Sequence, residues 1–121
     1  MIRIEDFQKW CESYTKTVYP EFSNLSTAEA RATTVEHIIE ELGESVKEMR
    51  KYEGRRFRFD PDAHIDNISE ELGDVVVLLI KLYSIYGISM EDSLRMVQKK
   101  LMKRWEEVKP DENQNSTESS T

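Results

Sequence analysis

The chain has 121 residues, enough for one domain with a small core, and 34% of them are charged while only 4 are Gly and 3 are Pro, which favours long helices over a strand-rich fold. A net charge of −7 without a broad basic surface excludes duplex nucleic acid as a main partner. A single cysteine, Cys11, excludes an internal disulfide, the two histidines leave no zinc-ligand set, and the absence of an apolar run of about 18 residues or of a signal pattern predicts a soluble cytoplasmic protein that uses no membrane.

The apolar spacing predicts a first helix from about Ile4 to Thr17, with Ile4, Phe7, Cys11, Tyr14 and Val18 on one stripe, Trp10 at its edge and Pro20 as its end. Phe7, Trp10 and Tyr14 have two readings, core packing or an exposed ring that stacks on a nucleobase. Residues 19–26 read as a loop. Ser26 with Glu29 then forms a capping box for a second helix, which runs to about Tyr52 and stops at Gly54.

Arg55, Arg56, Phe57, Arg58 and Phe59 form a basic and aromatic connector, either a solvated loop or an arm that lends an arginine fork to phosphates. Asp60 caps a third helix with Pro61 at its first position. From Val75 to Leu82 that helix is apolar nearly all round, and Val77, Leu78 and Ile80 lie off its main stripe, so a second subunit is expected to cover them. Lys81 stands seven residues beyond Asp74 on almost the same line, to pair with Asp74, to reach a phosphate, or to snorkel at an interface.

Gly87 ends the third helix, and Ser89 with Asp92 opens a fourth whose stripe is Leu94, Val97, Leu101 and Trp105. Lys100 and Arg104 flank this stripe one turn apart. From Arg95 to Lys109 there are six basic residues against two acidic ones, either a solvated face that favours the helix dipole or a surface for phosphate oxygens. Residues 110–121 contain no apolar side chain and are expected to form a disordered acidic and polar tail after a domain spanning 1–109.

Two near-copies of one phrase organise the middle of the chain: Glu40-Glu41-Leu42-Gly43-Glu44 and Glu70-Glu71-Leu72-Gly73-Asp74. At about 100° per residue, Val35, Ile38, Leu42, Val46 and Met49 form the apolar stripe of the second helix, and Ile65, Ile68, Leu72, Val75, Leu79 and Tyr83 that of the third. Glu41 and Glu44 flank the first stripe at the same offset at which Glu71 and Asp74 flank the second. Carboxylates so placed repel one another by about 3 kcal/mol per pair at ~5 Å and an effective dielectric near 20. A divalent cation with a taste for hard oxygen, Mg2+ or Mn2+, would relieve that repulsion; two solvated acidic faces are the alternative. His37, one turn before Glu41, reads as a support rather than a ligand, and with no Glu-x-x-His pair in the chain a ferritin-like di-iron site is excluded.

Glu-x-x-Glu, 26 intervening residues from Ser45 to Glu70, then Glu-x-x-Asp and the apolar run Val75 to Ile80, together resemble the signature of the all-α nucleoside triphosphate pyrophosphohydrolases, and within them the MazG branch. Gly87-Ile88-Ser89 and the stretch from Lys100 to Trp105 resemble that branch's closing helix, with Leu101 where the branch often has an aromatic. The resemblance covers about residues 26–106. It implies an all-α bundle of four main helices, oligomerised as a dimer or tetramer. It also implies Mg2+-dependent cleavage of a nucleoside triphosphate between the α and β phosphates. On this reading Glu41, Glu44, Glu71 and Asp74 hold the metal, Glu44 being the one to spare for orienting water, while Lys100, Arg104, Arg55 and Arg56 bind the departing pyrophosphate and Trp10 is a candidate for the base. Related pyrophosphate compounds, such as dUTP, dCTP or phosphoribosyl-ATP, and a non-catalytic helical adaptor are the alternatives.

Overall fold

A computed structural model of the chain describes residues 2–54 and 65–108, and among them the fold is all-α with no strand. The elements are α1 (Ile4–Val18), a short 3-10 helix (Pro20–Asn24), α2 (Thr27–Glu53), α3 (Ile65–Ile85) and α4 (Met90–Val108). The four expected helices are therefore present, close to the expected bounds. The connector with Arg55, Arg56 and Arg58, the Asp60 cap with Pro61, and the tail from 109 onward lie outside the described residues.

Local chemistry sets the helix ends. Ser26 sits in extended backbone at φ −64° and ψ 161°, and its Oγ accepts the Glu29 N–H at 3.1 Å while donating to Glu29 Oε1 at 3.0 Å. Here the glutamate closes the box on the hydroxyl. At the other end of α2, Gly54 takes the left-handed conformation at φ 72°, and its N–H reaches the Arg50 carbonyl. α3 ends in a Schellman turn: the Ile88 N–H bonds the Tyr83 carbonyl, the Gly87 N–H bonds the Ser84 carbonyl, and Gly87 at φ 65° makes the reversal without a Cβ penalty. The expected loop at 19–26 winds instead into a 3-10 turn led by Pro20, whose carbonyl accepts the Ser23 hydroxyl at 2.8 Å.

The chain up to Met90 forms one compact unit, in which α3 packs against both α2 and α1; α4 belongs to a second. In the first unit the buried lines run Gln8 and Cys11 on α1, Ala30, Thr34 and Ser45 on α2, and Val75, Leu78 and Ile80 on α3. This corrects the expected seams. Leu42 and Leu72, read as the centres of the apolar stripes, are 46% and 41% exposed, whereas Glu41 and Glu71 are half-buried on the inner side. The buried residues of α2 are small or polar, with Val35, Ile38 and Met49 of the expected stripe half-buried, while Leu42 and Val46 are exposed. Ile80 and Leu78 are likewise corrected: they are buried within the protomer, Ile80 at 2% exposure, because α3 has helices on two sides. Val77 remains exposed.

α4, taken by itself, has no buried residue, and Leu94, Val97, Leu101 and Trp105 are all exposed along it. Among the described residues no single helix is long and apolar enough to cross a membrane.

Candidate metal centre

Two helices and one repeated phrase build the centre. Glu41 lies near the middle of α2; Glu71 and Asp74 lie three apart in α3, so the helix presents both on neighbouring lines of one face. One carboxylate oxygen from each of Glu41, Glu71 and Asp74 lies within 4.8 Å of the others. Glu41 and Glu71 are half-buried and Asp74 is exposed, so the cluster is set into the protein on one side and open on the other. Ser45, fully buried one turn after Glu41, donates its hydroxyl to the Glu41 carbonyl at 2.9 Å and fills the inner face with a small side chain.

Electrostatics follow from this crowding. The Glu71 carboxyl is held above its ordinary range, first by desolvation, then by a hydrogen bond with Glu41 and by the charges of Glu41, Asp74 and Glu44. Carboxylates crowded in this way repel one another, and a cation among them would relieve that repulsion. The donor set is all carboxylate oxygen, which suits a hard divalent ion, and the open side leaves room for further oxygen ligands. The residues therefore fit a divalent metal.

Of the expected site residues, the structure gathers Glu41, Glu71 and Asp74. Glu44 is exposed and stands outside the group of three, contributing charge to Glu71 from beside it. His37 Nε2 lies 3.6 Å from Glu41 Oε1, a contact that orients the carboxylate from one turn away. Glu48, on the same line of α2, is engaged with Lys51 Nζ at 3.4 Å.

Trp10 is 58% exposed and sits in a run of rings along α1: its centroid is 5.8 Å from Phe7 and 5.4 Å from Tyr14, both stacked, and Tyr14 meets Tyr19 edge-on at 6.3 Å. Among the described residues Lys81 is seen against an aromatic ring rather than in an ion pair with Asp74. Its Nζ lies 3.9 Å from the Phe22 ring centre, and burial lowers its pKa, so it pins the 3-10 turn to α3 by a cation–π contact. Lys100 and Arg104 lie exposed one turn apart on α4. Arg55 and Arg56 lie outside the described residues.

Sequence reading overlooked Gln8. It is buried at 5% exposure in the middle of α1, with three hydrogen bonds to residues far along the chain. A polar residue in line with Cys11, on the helix's buried side, was the available signal.

Comparison with known proteins bears on the same stretch. The model of the MazG nucleotide pyrophosphohydrolase domain matches residues 29–109, which include the acidic pair of each central helix and all of α4. The chain is 32% identical over 111 residues to the uncharacterized protein YvdC of Bacillus subtilis (strain 168), a match that covers 87% of this chain and 98% of that protein. No solved structure gives a significant match. With the family's domain matched over most of its length, the chain belongs to the MazG nucleotide pyrophosphohydrolase family.

Proposed function

We propose that this protein hydrolyses a nucleoside triphosphate between its α and β phosphates, giving the monophosphate and pyrophosphate, with Mg2+ at the carboxylate cluster and Mn2+ as its substitute. One observation carries the reading: carboxylate oxygens of Glu41, Glu71 and Asp74 converge to within 4.8 Å of one another. Membership of a nucleotide pyrophosphohydrolase family supplies the substrate class. A divalent cation held there would supply charge neutralisation for phosphate oxygens and Lewis-acid activation.

The chain's own groups do the rest. Glu41 and Glu71 fix the inner side of the cluster, His37 steadies Glu41, and Asp74 closes the outer side. Glu44, left out of the group of three, is free to accept a proton from the attacking water. Lys100 and Arg104 bind the pyrophosphate oxygens, the arginine through its planar fork. Trp10, exposed but stacked between Phe7 and Tyr14, is the candidate to meet the base, through the part of the ring its neighbours leave open.

A second copy of the chain completes the assembly in this reading. The uncovered apolar line of α4 and the outward leucines of α2 and α3 are surfaces that a dimer or tetramer would bury.

Pyrophosphate release from a panel of common and deoxy nucleoside triphosphates, with and without Mg2+, tests the proposal. Metal-dependent release of pyrophosphate rather than of orthophosphate is expected. No release from any of them overturns it.

A further inference from the structure

We infer that Gln8 is a positioning residue for α4, holding the first residue of that helix where the third helix hands the chain over. The inference rests on the reading that Lys100 and Arg104, carried by α4, bind the phosphates.

The Gln8 carboxamide is fully used. Its Nε2 donates to Ser84 Oγ at 3.2 Å and to the Ile88 carbonyl at 2.9 Å, and its Oε1 accepts the Met90 N–H at 2.8 Å. Ser84 in turn donates its hydroxyl to Glu12 Oε1 at 2.9 Å, one turn along α1 from Gln8. These bonds join residues 72 to 82 positions apart in the chain.

Each contact has its reason. The Schellman turn uses the N–H of Gly87 and the N–H of Ile88, so the Ile88 carbonyl needs a donor from elsewhere. Met90 opens α4, so its N–H belongs to the first turn and has no acceptor within the helix. A carboxamide offers two donors and an acceptor on one carbon, and its orientation is assigned here because the reversed amide would set oxygen against oxygen at Ile88. Glutamate would keep the acceptor and lose the donors. Gln8 thus accepts the first N–H of α4 from another helix and ties the handover at 88–90 to the buried side of α1.

Met90 is where α4 begins, and Lys100 and Arg104 follow about three and four turns further along that helix. Gln8 touches neither substrate nor metal, so its loss should weaken substrate binding and leave the chemistry intact. The test compares Gln8→Met, which keeps the volume and removes the hydrogen bonds, with wild type and with Lys100→Ala. Expected for Gln8→Met are a rise in KM of about fivefold and a kcat within about twofold of wild type, an unchanged Mg2+-induced rise in Tm, and faster amide exchange at Met90. A wild-type KM in Gln8→Met beside a raised KM in Lys100→Ala overturns the positioning role and spares the phosphate reading. A wild-type KM in Lys100→Ala overturns the phosphate reading, and this inference with it. Should Gln8→Met fail to fold, Ser84→Ala removes only the brace on Nε2; a smaller rise in KM supports the role, and a wild-type KM overturns it.

Discussion

Glu41 and Glu71 bring carboxylate oxygens to within 4.8 Å of each other from neighbouring helices, two acids crowded into one space. Such a pair costs the protein stability unless a cation or a proton sits with it. Glu71→Gln removes a charge and keeps the shape. In the absence of metal the variant should melt higher than wild type, and adding Mg2+ should no longer raise its Tm. For wild type a ligand that binds only the folded state adds about 2.7 kcal/mol at a hundredfold excess over its Kd. Glu41→Gln and Asp74→Asn should lose that response as well, whereas Glu44→Gln, outside the group of three, should keep most of it and lose turnover. Calorimetric melts with EDTA and with Mg2+ decide this.

The same group sets a pH dependence, and its sign is fixed by the direction of the shift. Glu71 is held above its ordinary range when folded, so the folded chain binds a proton there at a pH where the unfolded chain does not. Its contribution to stability is therefore present in full below the unfolded glutamate value of about 4.3 and is lost as pH rises through the raised folded value. Metal-free wild type should gain stability relative to Glu71→Gln as pH falls from neutral toward the unfolded glutamate value of about 4.3, a difference that subtracts the other carboxylates. The Mg2+-induced rise in Tm should shrink over the same range, because proton and metal compete for the same oxygens. A flat difference between the two proteins from neutral pH down to the unfolded glutamate value of about 4.3 would contradict the shift.

Helix number, helix bounds and the acidic signature were all legible, because capping residues and a doubled Glu-x-x-acid phrase are local signals. The facing of the helices was not. A hydrophobic period tells which side of a helix avoids water, and says nothing of whether the same chain or another one covers it. On α2 the two answers differ: Leu42 and Val46 point outward while Thr34 and Ser45 are the most buried side chains. The carboxylates thus stand nearer the inner side of α2 and α3 than the arithmetic of stripes had put them. Lys81 and Gln8 were illegible for a second reason. Each takes its role from a partner far along the chain, Phe22 for one and Ile88 with Met90 for the other, which no local pattern encodes.

The corrected facing separates two kinds of apolar substitution. Ile80 is enclosed by its own protomer, so Ile80→Ala should open a cavity and destabilise the fold by about 2 to 5 kcal/mol at any protein concentration. Leu72→Asp, on the outward face, should leave the protomer's helices formed and lower its state of association. Denaturant melts at two concentrations, with sedimentation of each variant, read the two effects apart. A Leu72→Asp protein that sediments like wild type would place the subunit interface elsewhere.

Lys100 and Arg104 offer the sharpest test of whether α4 serves the reaction. The helix carries a basic run in an otherwise acidic protein, and one turn separates the two side chains, so a single triphosphate can engage both. Hydrogen bonds to charged groups are worth about 1.5 to 3 kcal/mol each, so Lys100→Ala and Arg104→Ala should each weaken nucleotide and pyrophosphate binding by that amount, measured by isothermal titration in the presence of metal. The Mg2+-induced rise in Tm of the nucleotide-free protein should stay as in wild type, since neither side chain belongs to the carboxylate cluster. Arg104→Lys should recover only part of the loss, because an ammonium is a point charge and cannot reproduce a planar two-pronged contact. High salt should narrow the gap between wild type and both variants, as screening weakens the attraction that the variants lack. If both alanine variants bind nucleotide as tightly as wild type, the basic run is a solvated face, and the phosphates are held by another part of the chain, with Arg55, Arg56 and Arg58 the next to replace.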